Sequence, residues 1–198
     1  MAKLKIYGSA RSRASRVMWT AREAGVDYDV IGVDAAAKDS HYRQINPNGR
    51  FPAIQDGDLV LFESMAINLY LAKTYALGSL YPTSAADEAR VLQWTLWAVN
   101  EIESHFVTCW LERLFRPEDK RDLAKADQAE AASQQALGVL EAALQDSDYL
   151  LGDTFTIADL NVASATEPGI MANVDFSAYP KVSAWVARCT SRPAHDLS

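Results

Sequence analysis

The chain has 198 residues, 49% of them hydrophobic, and carries a net charge of −7 from 26 acidic and 19 basic side chains. That length buries a real core as one domain or two small ones, and the apolar content excludes a disordered chain. The charge carries no basic run, which argues against nucleic acid as the main partner.

Only Cys109 and Cys189 are present, far apart and without a CxxC spacing, so neither a disulfide framework nor a cysteine zinc site is expected. His41, His105 and His195 are scattered and give a metal centre no support. No apolar stretch approaches the roughly 20 residues of a membrane span, and a strand begins at Lys3 with no signal-like stretch before it. A soluble, cytoplasmic protein is expected, with neither a membrane nor a nucleic acid as partner.

Leu4-Lys5-Ile6-Tyr7 reads as a short alternating strand that Gly8 ends. Ser9–Ala14 is a small polar loop. From Ser15, which is placed to cap it, a helical rhythm runs through Val17, Met18, Thr20 and Ala21 to a glycine stop at Gly25. Tyr28–Val33 is a second strand, and Ala35–Ile45 an irregular helix. Ile54 opens a third strand, Asp56-Gly57 signals a hairpin turn, and Leu59–Phe62 returns. Glu63-Ser64 then starts a helix to Tyr75, with the Ser64 hydroxyl offered to free amides and Glu63 near the positive helix end. The order is βαβαββα, a thioredoxin-like layout.

Leu77–Ala85, with Gly78, Pro82 and Ser84, has linker composition. Everything after it reads as helical. Asp87–Phe115 is a long helix with Val91, Leu92, Leu96, Val99, Ile102, Phe106, Trp110 and Leu114 on an apolar stripe, and Glu118–Gln145 is a second, alanine-rich helix. Thr156-Ile157-Ala158-Asp159 is a capping box with Phe155 placed to staple onto Leu160, and its helix is expected to end or kink at Pro168-Gly169. A last helix begins at Pro180 and runs to about Thr190. The expected domains are 1–77, α/β and thioredoxin-like, and 86–198, all-α, joined by 78–85.

The stretch Asn46-Pro47-Asn48-Gly49-Arg50-Phe51-Pro52 places a proline just before a strand, where it cannot donate to a ladder. An edge of that kind pairs with an extended peptide, and the helix N-terminus at Ser64 suits a carboxylate. This NPxGxxP, the hairpin and the ESxAI run that follows resemble the glutathione-binding half of the cytosolic glutathione transferases. Gly152-Asp153 with the Phe155–Asp159 box, and Tyr179-Pro180 through Trp185 to Arg192-Pro193-Ala194, are similar to that family's helical half. The pattern YGSxxSRxxRV around Ser12 resembles the theta-like and bacterial serine classes.

The resemblance implies an enzyme that ionises the thiol of its co-substrate, glutathione, for attack on a small hydrophobic electrophile, with no metal. It implies a cis Pro52, Phe51 backbone against the cysteinyl part of glutathione, Glu63 and Ser64 on the γ-glutamyl end, and Arg50 and Lys38 near the glycine carboxylate. Solvated charges are the alternative for both of these. Phe51 departs from the valine or isoleucine usual there. For the thiol-activating hydroxyl the candidates are Ser12, then Ser9, then Tyr7, the alternative for Ser12 being a cap or a solvated loop serine. Ala10, Arg11, Glu103, Phe106, Trp110 and Met171 are candidates for the electrophile pocket. Homodimers are usual in the family, the first domain of one chain meeting the second of the other. The competing reading is a non-catalytic module of the same fold that binds ligands or proteins.

Overall fold

Leu4 and Ile6 alternate with Lys5 and Tyr7, and that alternation puts two different cores on the two faces of one sheet. The computed structural model describes residues 3–32 and 42–196. Strands β1 (Leu4–Tyr7), β2 (Tyr28–Ile31), β3 (Ala53–Asp56) and β4 (Leu59–Phe62) stand in the order β2-β1-β3-β4. β1 runs parallel to β2 and antiparallel to β3, and β3 is antiparallel to β4. On one face Leu4, Ile6 and Ile54 pack with Ala14, Val17, Met18 and Ala21 of α1 (Ala14–Glu23) and Ile67 and Leu71 of α3 (Ser64–Tyr75). On the other, Tyr7 and Ala53 meet Tyr42 of α2 (Tyr42–Ile45). The expected thioredoxin-like order stands. Of the helix expected over Ala35–Ile45, its last turn is α2; the part before Tyr42, Lys38 included, lies outside the described residues.

The chain divides into two units, residues up to Ser84 with those from Arg192 onward, and Ala85–Ser191. The closing residues therefore group with the first unit, whereas 86–198 was expected to be one domain. Arg192 explains this: its Nε and Nη2 donate to the two oxygens of Glu23 on α1 at 2.7 and 2.8 Å, and His195 sits edge-on to Trp19 at 4.7 Å. The stretch expected as a linker is packed as well, with Leu80 and Tyr81 buried.

The second unit is helical. α4 (Ala85–Trp97), a π-helical stretch (Ala98–Glu103), α5 (Ser104–Trp110) and a second π stretch (Leu111–Phe115) make one long rod. A 3₁₀ turn (Glu118–Lys120) leads to α6 (Leu123–Ala143), followed by α7 (Ile157–Met171) and α8 (Pro180–Thr190). The rod is apolar on two sides rather than along one stripe. Val91, Ala98, Ile102, Phe106 and Cys109 are buried, while Leu92, Leu96, Val99 and Leu114 are exposed.

α7 is the central helix, with every residue from Ile157 to Thr166 buried. Asp159 repays its burial with four donors: the Leu150 and Thr156 amides, the Thr156 hydroxyl and the Trp185 indole, at 2.8–3.0 Å. Burial pushes its carboxyl up, and these donors pull against it. The helix does not end at Pro168, because α7 continues to Met171 with the proline inside it. An interior proline costs about 3 kcal/mol, and the burial of this helix outweighs it. Gly169 serves contact rather than termination: a Cβ there would lie 2.6 Å from Cγ of Phe106.

Candidate functional site

Three strands bring the site's segments to one place. Tyr7 pairs with Ala53, and Ala53 pairs with Phe62, so these three residues stand side by side across the sheet. The segment after Tyr7, the segment before Ala53 and the segment after Phe62 therefore leave the sheet at the same end. They are the loop Ser9–Arg13, the Asn46–Pro52 stretch and Glu63-Ser64. Gly8 allows the close approach. Its φ is +136°, and a Cβ there would lie 2.8 Å from Cβ of Ala14, 3.2 Å from Ser12 Oγ and 3.4 Å from Cβ of Phe51.

In the loop, Ser12 is half-buried and its hydroxyl donates to the Ser9 carbonyl at 2.8 Å. The same oxygen accepts from the Ala14 amide at 3.2 Å and from that of Ser9 at 3.4 Å. It therefore serves the first residue of α1, and the expected cap at Ser15 is replaced: Ser15 lies inside the helix, its own amide donating to the Ser12 carbonyl at 2.9 Å. Ser9, Ala10 and Arg11 are exposed. Tyr7 is buried, its phenol 3.3 Å from Oε1 of Gln55, in a cluster with Tyr42 and Ala53.

Before β3, the Phe51–Pro52 peptide is cis and the ladder begins at Ala53. Arg50 is exposed. After β4, Glu63 rather than Ser64 is the cap residue of α3, with φ 73° and ψ 109° and no side-chain cap bond. Ser64 is the first helical residue and is buried. A non-glycine residue in that left-handed region costs roughly 1–3 kcal/mol and is found where a site over-determines it. Behind it, a helix leaves its first N–H groups without partners within the helix.

The second unit holds the other residues named from sequence. Phe106 is fully buried against Gly169 and 5.7 Å from the Phe176 ring, so it packs the helical core. Glu103 is buried at the end of the first π stretch, Trp110 is half-buried and stacked on Phe115 at 4.7 Å, and Met171 is exposed. Among the described residues no group of three or more His, Cys, Asp or Glu is placed to hold a metal, and no helix is long and apolar enough to cross a membrane.

The N-terminal domain model of glutathione S-transferases matches residues 2–73, and the C-terminal domain model matches 105–193. A glutathione S-transferase of Hyoscyamus muticus is 37% identical, with 96% of this chain and 95% of that one aligned. The chain belongs to the glutathione S-transferase family. Glutathione S-transferase 3 of Zea mays is 35% identical over 98% of this chain and 92% of its own length. Among solved structures, the theta class glutathione S-transferase of Xanthomonas axonopodis pv. citri, with glutathione bound, superposes with a TM-score of 0.90 at 35% identity, covering 98% of this chain and 96% of the other. Maize glutathione S-transferase I, in complex with an atrazine glutathione conjugate, gives 0.88 at 31% identity over 98% and 94%.

Within this glutathione S-transferase, Ser12, Phe51, Pro52, Glu63 and Ser64 sit on the three segments that converge at one sheet end, while Tyr7 points into the core beside them. Sequence reasoning did not name Tyr42 and quoted Asn46 in the NPxGxxP stretch without giving it a role; both are buried and hold the Arg50 carbonyl. Asn before Pro is a turn signal that marks Asn46; no local signal marks Tyr42.

Proposed function

We propose that this protein is a glutathione transferase in which Ser12 ionises the glutathione thiol for attack on an electrophilic carbon. One observation carries the reading: the β1–β3–β4 register sends the Ser12 loop, the cis Phe51–Pro52 peptide and the N-terminus of α3 out of the same sheet end. Glutathione lies extended there, its cysteinyl backbone along Phe51 and its γ-glutamyl carboxylate at Glu63-Ser64 and the α3 N-terminus. Arg50, exposed at the start of that stretch, faces the glycine carboxylate. Lys38 shares the latter role on the resemblance alone.

A free thiol has a pKa near 8.5, and each unit of depression takes about 1.4 kcal/mol. A hydrogen bond to a charged group contributes about 1.5–3 kcal/mol, so one well-aimed hydroxyl suffices. Ser12 has a single proton, held by the Ser9 carbonyl. Turning that proton to the sulfur keeps the oxygen on the Ala14 amide, and this bond polarises the hydroxyl into a better donor. The thiol proton leaves to solvent, and the thiolate then forms the new carbon–sulfur bond as the electrophilic carbon either releases its leaving group as an anion (substitution) or gives up its π bond to the neighbouring atom, which takes a proton from solvent (addition). Ser9 is the second candidate. Tyr7 is the weakest, since its buried phenol is already on Gln55.

The electrophile is small and largely apolar, as the atrazine conjugate on maize glutathione S-transferase I illustrates. Its candidate contacts are Ala10 and Arg11, exposed in the first unit, and Glu103, Trp110 and Met171 in the second, where Phe106 is core packing against Gly169. A homodimer is proposed as well, supported by Leu92, Leu96 and Val99, which repeat at helical spacing on the exposed side of the long rod. The cytoplasm is the proposed compartment, since Cys109 and Cys189 are both buried thiols.

An ultraviolet difference titration with glutathione tests the reading, because the thiolate absorbs where the thiol does not. A saturable thiolate signal well below pH 8.5 is expected. In Ser12→Ala, turnover should fall roughly 10- to 150-fold with glutathione affinity nearly kept. Binding without a thiolate signal in the wild type would make the protein a ligand-binding module, and an unchanged rate in Ser12→Ala would remove Ser12 from its role.

A further inference from the structure

We infer that Tyr42, together with Asn46, is a positioning residue for glutathione: the two clamp the Arg50 carbonyl and thereby aim the Phe51 backbone. The inference rests on the glutathione reading above. The Tyr42 phenol donates to the Arg50 carbonyl at 2.8 Å and the Asn46 side-chain amide donates to it at 2.6 Å, so both lone pairs of that oxygen are engaged. The Arg50 C=O and the Phe51 N–H belong to one planar peptide. Fixing the first fixes the direction of the second, immediately ahead of the cis Phe51–Pro52 bond.

The clamp is itself held. The Asn46 side-chain oxygen accepts from the Asn48 amide at 3.0 Å, its backbone N–H donates to the Tyr42 carbonyl at 2.9 Å, and its own carbonyl accepts from Gly49 at 2.8 Å. Arg43 Nη1 donates to the Pro47 carbonyl at 3.1 Å. Tyr42 and Asn46 are each 2% exposed. The Tyr42 ring also lies 5.1 Å from that of Phe51 and 6.1 Å from that of Tyr7. The unusual phenyl at position 51 is thus packed into the aromatic cluster on this sheet face. Side chain and main chain of Phe51 are oriented by the same tyrosine.

Removing the hydroxyl alone separates positioning from packing, because Tyr42→Phe keeps the ring and leaves Asn46 on the carbonyl. Glutathione Kd and KM should rise about 3- to 10-fold, the worth of one buried hydrogen bond. With chlorodinitrobenzene as electrophile, kcat and the pKa of the bound thiol should stay at wild-type values. The loss should be the same from about pH 6 to 9, since burial pushes the Tyr42 phenol up to about 12 against the smaller pull of Asn46, and it stays a donor throughout. Asn46→Ala, which removes the other donor together with the acceptor for Asn48, should raise Kd and KM at least as much, with kcat and the thiol pKa again unchanged, if Tyr42→Phe folds poorly. A merely structural Tyr42 would lower the melting temperature and leave Kd and KM alone, and that result in either folded variant overturns the inference. Failure of the wild type to bind glutathione would instead overturn the functional reading beneath it.

Discussion

Replacing Asp159 is the sharpest test of how the helical unit is held together. Its carboxylate is fully buried and accepts from Leu150 N at 2.8 Å, Thr156 N at 2.9 Å, Thr156 Oγ1 at 3.0 Å and Trp185 Nε1 at 3.0 Å. The four donors come from the loop before α7, its first turn and α8, so one side chain ties three segments. Asp159→Ala leaves them without an acceptor. A buried orphaned donor costs about 1–3 kcal/mol, which over four donors sums to about 4–12 kcal/mol, comparable to the whole stability of a domain. Two corrections reduce the figure: the Thr156 hydroxyl can turn to another partner, and the cost of burying the carboxylate disappears with it. The net expectation is about 3–5 kcal/mol, as for breaking other buried charge networks. Asp159→Asn keeps one acceptor oxygen but turns an amide NH₂ toward N–H donors, and about 2–3 kcal/mol is expected. Thr156→Val removes one donor and should cost about 1 kcal/mol. Urea unfolding at fixed protein concentration reads these out. With a slope of about 2 kcal/mol per molar, the midpoint of Asp159→Ala should fall by roughly 1.5–2.5 M. A loss below about 1 kcal/mol, or an Asn variant no better than Ala, would show that the carboxylate is not the knot described here.

Gly169→Ala puts a methyl 2.6 Å from Cγ of Phe106, and should destabilise by about 1–3 kcal/mol although alanine is the better helix former; adding Phe106→Leu should recover part of that, and an unchanged melting temperature in the single variant would refute the close-approach argument. Sedimentation equilibrium should give twice the 21.8 kDa chain mass, and Leu96→Glu, on the exposed stripe of the long rod, should shift it toward the monomer. A wild-type monomer would end the dimer proposal.

What the sequence discloses divides along the range of the interactions. The strands, the hairpin and the start of α7 follow from alternation and turn chemistry within a few residues, and they appear where that chemistry puts them. The long rod shows the limit. Val91, Ala98, Ile102, Phe106 and Cys109 keep a helical rhythm on the buried side, while Leu92, Leu96 and Val99 keep the same rhythm one residue out of step on the exposed side, so a count of apolar positions merges two apolar faces into one stripe. Pro168 shows the same limit from the other side, a helix end expected from a local rule and overruled in a helix buried from Ile157 to Thr166. The site is mixed for the same reason. Pro52 and Gly8 announce themselves because only particular residues suit those backbones. The left-handed Glu63 has no such signature, and Ser12 and Ser15 look interchangeable as caps until the loop is folded. The Tyr42 phenol meets the Arg50 carbonyl only after the chain between them has turned. A site built from main-chain directions is therefore visible in sequence only where a proline or glycine is needed to set them; where packing sets them, as at Phe51, it takes the structure to see which side chain does the aiming.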